Sequence, residues 1–229
     1  STASYMMATY RQEGDGELGA HRVLERNGRA ARLVELREDD AVHVDLEGHL
    51  ELDGRLDLVF VHGHIEPQIE RFQALQTHAQ PAAIFHNRGD GFAPLSTDGF
   101  PARPLVGRGL ASGDLDGDGD LDLVITQNGG GARIWRNDSP RGHFLRLRLE
   151  GRASNRTGYG ARVDVEAGGR TLRRWLNGGR SYLSAGEPVL TFGLGDIDTV
   201  DAVRVTWPSG RVQEQSGLAV DRLHVVVEP

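Results

Sequence analysis

The sequence contains no cysteine and no lysine, and its 26 basic residues are all arginine. The first absence excludes disulfides, thiolate-bound zinc and cysteine nucleophiles. The second excludes the phosphate-binding loop G-x-x-x-x-G-K-[ST]. Beside abundant Arg, Gly and Asp it reflects a GC-rich coding sequence rather than avoidance of amines. No apolar run approaches the ~20 residues that a bilayer requires, and Ser1 is not followed by a basic stretch and an apolar core of the signal-peptide type. A soluble chain without a membrane span is expected, and removal of a leader is left open. The net charge of -7 argues against a nucleic-acid partner, which would need a net basic face.

The 229 residues carry 31 Gly and 9 Pro, a globular composition tilted toward turns and hence toward β structure. Two echoes organise the first part. Tyr10-Arg11-Gln12-Glu13-Gly14-Asp15-Gly16 returns as Phe85-His86-Asn87-Arg88-Gly89-Asp90-Gly91, and Asp53-Gly54-Arg55-Leu56-Asp57-Leu58-Val59 returns as Asp118-Gly119-Asp120-Leu121-Asp122-Leu123-Val124. The unit is an acidic glycine loop, a buried strand, a variable insert and a Gly-Asp-Gly hairpin. In the first insert, the spacing of Ile65, Ile69, Phe72 and Leu75 predicts a short amphipathic helix over about 67–77.

Beyond the polar segment Asn137 to Gly142, which reads as a linker, the pattern changes to strict alternation. Leu145, Leu147 and Leu149 alternate with Arg146 and Arg148, and Val203, Val205 and Trp207 with Arg204 and Thr206. Period two places the apolar set on one face of a half-buried antiparallel sheet. Short strands between recurrent turn signals predict a sandwich or barrel of about 85 residues.

The sharpest chemical signal is Asp114-Leu115-Asp116-Gly117-Asp118-Gly119-Asp120-Leu121-Asp122. A chain curling around an ion turns alternate side chains inward, so Asp114, Asp116, Asp118 and Asp122 at loop positions one, three, five and nine can converge on one hard cation. Gly119 permits the sharp turn, and the Asp120 carbonyl supplies a further oxygen. Ca²⁺ suits such a cage better than Mg²⁺, which demands a strict octahedron. The competing reading is a solvated acidic turn without metal. Position twelve is Ile125 and a β run follows, so the loop is not an EF-hand. In the earlier copy the same places hold His49, Glu51, Asp53 and Asp57 around Gly54, a donor set that fits Ca²⁺ poorly. His62, His64 and Glu66 offer a zinc-type donor set, against the plainer reading of hydrogen-bonded loop histidines.

The pattern D-x-D-x-D-G-x-x-D-L followed by N-x-G-D-G-x-F resembles the FG-GAP or VCBS repeats of integrin-like β-propellers. Asn155 to Val163, Gly179 to Ser184, Phe192 to Gly195 and Val205 to Gly210 resemble, in that order, the blocks of the ASPIC/UnbV domain. Over nearly the whole chain the combination is similar to bacterial members of the cartilage acidic protein family. The resemblance implies an all-β protein, with a partial β-propeller of FG-GAP/VCBS-type blades over 1–140 and a small ASPIC/UnbV β-sandwich over 141–229. It implies Ca²⁺ on Asp114, Asp116, Asp118, Asp120 and Asp122, with a doubtful extension to Glu51, Asp53 and Asp57 because His49 departs from the pattern. A secreted or periplasmic, non-catalytic structural or ligand-binding role is expected, with protein or carbohydrate as the ligand classes. The rival is a cytoplasmic accessory protein or enzyme of enediyne-type polyketide biosynthesis.

Other features have ordinary readings. Arg88-Gly89-Asp90, an integrin-recognition tripeptide on paper, lies in the repeat's own turn. Arg173, Arg174 and Arg180 could hold an anion, but an exposed, solvated strand face is the plainer reading. Trp175 and Tyr182 beside them suit a sugar or peptide surface, although aromatics in a small sandwich are more often core. Residues 1–140 hold material for two to three blades, fewer than a closed propeller needs. A missing propeller segment or self-association is therefore expected, against the alternative of a mini-fold capped by the insert.

Overall fold

The computed structural model describes residues 50–95, 103–139, 142–181 and 184–229, together with the backbone of five strands among the first 48 residues. Strands β1 (Ala8–Glu13), β2 (Glu17–Arg26) and β3 (Arg29–Arg32) form an antiparallel sheet in that order, with the short β4 (Leu36–Arg37) also pairing β2. The next sheet is a four-stranded meander of the propeller-blade type, β5 (His43–Gly48), β6 (Asp57–Val61), β7 (Ala83–Asn87) and β8 (Phe92–Pro94). A three-stranded meander follows, β9 (Gly107–Gly113), β10 (Asp122–Gln127) and β11 (Arg133–Trp135).

Burial explains the central place of β6 in the first meander. Every residue of β6 is buried, as the run Leu58-Val59-Phe60-Val61 requires of a central strand covered on both faces. Val59 and Val61 share one core with Leu50, Ile84, Leu105, Leu110, Leu123 and Ile125, so the two meanders pack on each other. The β7–β8 hairpin is closed by the Arg88 amide donating to the Gly91 carbonyl at 2.9 Å. That places Arg88, Gly89 and Asp90 in an exposed structural turn.

The helix predicted over 67–77 does not form. The insert contains a single turn of 3₁₀ helix, Ile69–Arg71. An amphipathic helix is stabilised by burying its apolar stripe. Here only Ile69 is buried, while Ile65, Phe72 and Leu75 are 71%, 75% and 88% exposed.

The carboxy-terminal part is a two-sheet sandwich. One sheet has the order β15 (Val189–Gly195), β12 (His143–Glu150), β18 (Arg222–Val227); the other runs β14 (Arg170–Trp175), β13 (Arg162–Ala167), β16 (Ala202–Thr206), β17 (Val212–Gln215). Two packed sheets are the expected sandwich, but pairing is not antiparallel throughout, since the β12–β18 pair is parallel. Alternation reports faces, not partners, so it could not show this. Leu145, Leu147 and Leu149 from one sheet and Val163, Val165, Val203 and Val205 from the other meet in one core with Phe192 and Trp207. Trp175 departs from the core expectation and is 50% exposed. It stands on the outer face, in register with Arg162, which in turn faces Thr206.

Candidate metal centre

The acidic loop between β9 and β10 brings carboxylate oxygens of Asp114, Asp116 and Asp122 within 4.8 Å of one another. Asp122 opens β10 and is 1% exposed. Its Oδ2 accepts from the Leu115 amide at 2.8 Å and its Oδ1 from the Asn137 amide at 2.8 Å. Asp114 accepts from the amides of Gly117 on Oδ1 at 2.7 Å and Gly119 on Oδ2 at 3.1 Å. A carboxylate has about four acceptor positions, so these bonds orient the groups and still leave lone pairs for a cation. Asp118 is outside the cluster, with its Oδ1 accepting from the Asp120 amide at 3.2 Å. Asp120 is fully buried, and its expected contribution is a backbone carbonyl. Three converging carboxylates and an all-oxygen donor set fit a hard cation such as Ca²⁺.

Two features of this centre lie outside the loop and outside its sequence pattern. Arg146 of β12, on the side opposite the core leucines, is 7% exposed. Its guanidinium pairs with Asp114 Oδ2 through Nη1 and with Glu187 Oε1 through Nη2, and its Nε donates to Thr191 Oγ1 at 3.3 Å. Arg136 Nε, just ahead of Asn137, lies 3.8 Å from Asp116 Oδ2. In the sequence Arg146 is only a polar member of an alternating strand; the loop's density of acids is the one signal that a cation should come from elsewhere in the chain.

The earlier copy repeats the hydrogen-bond plan and changes the charge plan. Asp57, 65 positions before Asp122, accepts from the Leu50 amide at 3.1 Å and the Asn87 amide at 2.9 Å. Leu50 and Asn87 thus stand where Leu115 and Asn137 stand in the second copy. Asp53 accepts from the Arg55 amide at 2.8 Å, as Asp118 does from Asp120. His49 lies outside the described residues. The place beside Glu51 and Asp57 is taken by His86, whose Nδ1 lies 3.3 Å from Glu51 Oε2 and 3.2 Å from Asp57 Oδ1. Burial raises the Asp57 carboxyl above its usual range, against the lowering pull of the Asn87 and Leu50 amides and of His86. Glu51, Asp53 and Asp57 are not drawn into a cluster of the kind Asp114, Asp116 and Asp122 make.

The other candidates resolve into structural contacts. The Glu66 amide donates to His64 Nδ1 at 2.9 Å, which places the proton on Nε2, so this imidazole offers a donor there rather than a lone pair for zinc. Arg173 Nε donates to Asp164 at 2.5 Å, Arg174 lies 5.6 Å from the centre of the Phe192 ring, and Arg180 donates to the Val189 carbonyl at 3.0 Å. These three arginines point to three different partners rather than to one anion site. Tyr182 lies outside the described residues.

Among the described residues, no helix is long and apolar enough to cross a membrane. Residues 50–125 match the FG-GAP-like repeat and residues 151–229 match the family described as ASPIC and UnbV. Cartilage acidic protein 1 of Mus musculus is 30% identical over 166 residues, covering 66% of this chain and 22% of the relative. The Xenopus tropicalis protein of that name is 34% identical over 145 residues (61% and 21%), and the Homo sapiens one 31% over 157 residues (66% and 22%). The chain thus spans about a fifth of the length of these curated relatives. Loop, blade and sandwich together make this an FG-GAP-repeat chain with a carboxy-terminal ASPIC/UnbV domain, related to cartilage acidic protein 1.

Proposed function

We propose that this chain is a non-catalytic, calcium-stabilised binding module, in which Asp114, Asp116 and Asp122, completed by Asp118 and the Asp120 carbonyl, hold one Ca²⁺ ion. The observation that carries the reading is the convergence of three carboxylates, those of Asp114 and Asp122 buried, on an all-oxygen site. Held close together without a cation they repel one another, and a divalent ion removes that cost. The first loop, with His86 already against Glu51 and Asp57, supports one ion per chain rather than two. An extracellular setting suits such a loop, since extracellular calcium modules work with Kd values on the order of 10⁻⁴ to 10⁻³ M. A protein or carbohydrate ligand suits the outer sheet face, where Trp175 stands half-exposed beside arginines.

Calorimetric titration with Ca²⁺, paired with thermal melting in EDTA and in excess ion, tests the reading. Binding near one equivalent is expected, with stabilisation of about 2.7 kcal/mol at a hundredfold excess over Kd. Asp116→Asn should abolish both. Identical melting curves with and without the ion would overturn it.

A further inference from the structure

The acidic loop is fastened to the sandwich by more contacts than a surface loop needs. Arg146 of β12 pairs with Asp114, and Glu187, just before β15, accepts from the Asp114 amide at 3.2 Å as well as from Arg146. A β-carbon built on Gly119, at loop position six, would come within 2.1 Å of the ring of Phe144 from β12. Upstream, the Leu110 amide of β9 donates to Ser184 Oγ at 3.0 Å. The first and sixth loop positions thus rest on the sandwich, and the first, third and ninth form the cluster.

We infer that the loop's cation site is shared between blade and sandwich, with Arg146 and Glu187 as positioning residues that couple ion binding to the seating of one on the other. This rests on the calcium reading above and extends it. The Asp114 side chain is 1% exposed and that of Arg146 8%, so the pair is shielded from solvent and its geometry is costly to disturb. Asp114 Oδ2 is held by Arg146 and the Gly119 amide, whereas Oδ1 takes only the Gly117 amide. The outer oxygen of the first ligand is therefore fixed by a residue of the sandwich. An ion that fixes Asp114 and Gly119 also fixes what they rest on, Arg146, Glu187 and Phe144. Coupling of this kind is reciprocal, so the seated sandwich raises the loop's affinity by the same factor.

The first loop provides an internal contrast. It too meets the sandwich, through the Gly195 amide donating to the Leu52 carbonyl at 2.9 Å. That contact is backbone to backbone, and the basic group beside its carboxylates, His86, comes from its own blade. Among the described residues, only the second loop has a carboxylate ion-paired with an arginine of the sandwich.

Hydrogen exchange of the full chain in EDTA and in excess Ca²⁺ tests the coupling, with calorimetry reporting binding separately. In the wild type the ion should slow exchange ~10-fold or more in 114–122 and also in β12 and β15, as one cooperative unit. In Arg146→Met the loop should still respond, while β12 and β15 respond less than ~2-fold. Glu187→Gln, which keeps the arginine, should show the same uncoupling and decides the matter if Arg146→Met does not fold. A wild type whose loop responds while β12 and β15 do not overturns the shared site and leaves the calcium reading standing. Full transmission in a folded Arg146→Met, or in Glu187→Gln, overturns it equally. No heat and no slowing anywhere overturns both.

Discussion

The ring of Phe144 lies over Gly119, leaving no room for a side chain: a β-carbon there would stand 2.1 Å from ring atoms Cε1 and Cζ. Gly119 also has φ of +101°, a conformation that L side chains rarely adopt. Gly117, two residues earlier, has φ of +83° and open space around it. Gly117→Ala should therefore cost only the backbone penalty, roughly 1–2 kcal/mol. Gly119→Ala should add the cost of overpacking, for about 2–5 kcal/mol in all. Urea unfolding of the two variants side by side checks this. Equal losses would show that the Phe144 contact yields without cost.

Glu228 is fully buried at the end of the chain. Its Oε2 accepts from the amides of Arg152, Ala153 and Ser154 at 2.7, 2.8 and 2.7 Å, and its Oε1 from the hydroxyls of Ser209 and Ser154 at 2.5 and 3.0 Å. Burial alone would raise this carboxyl, but the Ser209 hydroxyl, the amides of Ser154 and Arg152 and the Ser154 hydroxyl outweigh it and hold it at about 2 instead of 4.5. A depressed carboxyl stabilises the fold fully above its unfolded value, and the contribution is lost as pH falls through the folded value. The unfolding midpoint of the wild type should therefore drop more steeply between pH 4.5 and 2 than that of Glu228→Gln. Parallel profiles would show that the three amides do not act on the charge.

Asn137 ties the two repeats together. Its amide serves Asp122 in its own repeat, while its Nδ2 donates to the Leu50 carbonyl of the earlier one at 2.7 Å. The Nδ2 of the matching Asn87 donates instead to the Leu56 carbonyl at 3.1 Å, within its own repeat. Each alanine variant should lose about 1–3 kcal/mol for an orphaned carbonyl. Only Asn137→Ala should also raise exchange at Leu50 and Leu52, measured by hydrogen exchange. Equal responses at those amides would refute the bridging role.

What the sequence made legible was whatever repeats or alternates. The 65-residue echo of Asp57 in Asp122 marks two strand starts that share one hydrogen-bond plan, and the alternating leucines of β12 mark the core side of that strand. The insert misled because a spacing of three and four describes a stripe without saying whether a surface exists to bury it, and Phe72 and Leu75 remain in solvent. The partners of the acidic loop were illegible for a different reason. Arg146 and Glu187 are 32 and 73 positions from Asp114, and no local pattern distinguishes an arginine that will meet an aspartate from one that will meet water. His86 was hidden in the same way, inside a motif read for its turn.

We expect residues 141–229 to fold alone. Every member of the sandwich core lies between Leu145 and Val226, and Glu228 closes the far end on Arg152, Ala153 and Ser154. A unit of this size is near the lower end of autonomous folding, yet it loses no core residue on excision. It does lose the acidic loop, which uncovers Phe144 and deprives Arg146 of Asp114. Arg146→Met should therefore cost the full chain about 3–5 kcal/mol, as the loss of a buried charge partner does. In the excised sandwich, where only Glu187 and Thr191 remain to the guanidinium, the cost should shrink to about 1 kcal/mol. Circular dichroism and amide dispersion of the fragment check the first expectation, and urea unfolding of the variant in both contexts checks the second. A random-coil fragment would show that the sandwich depends on the blades, and equal costs in both contexts would show that Arg146 serves β15 rather than the loop.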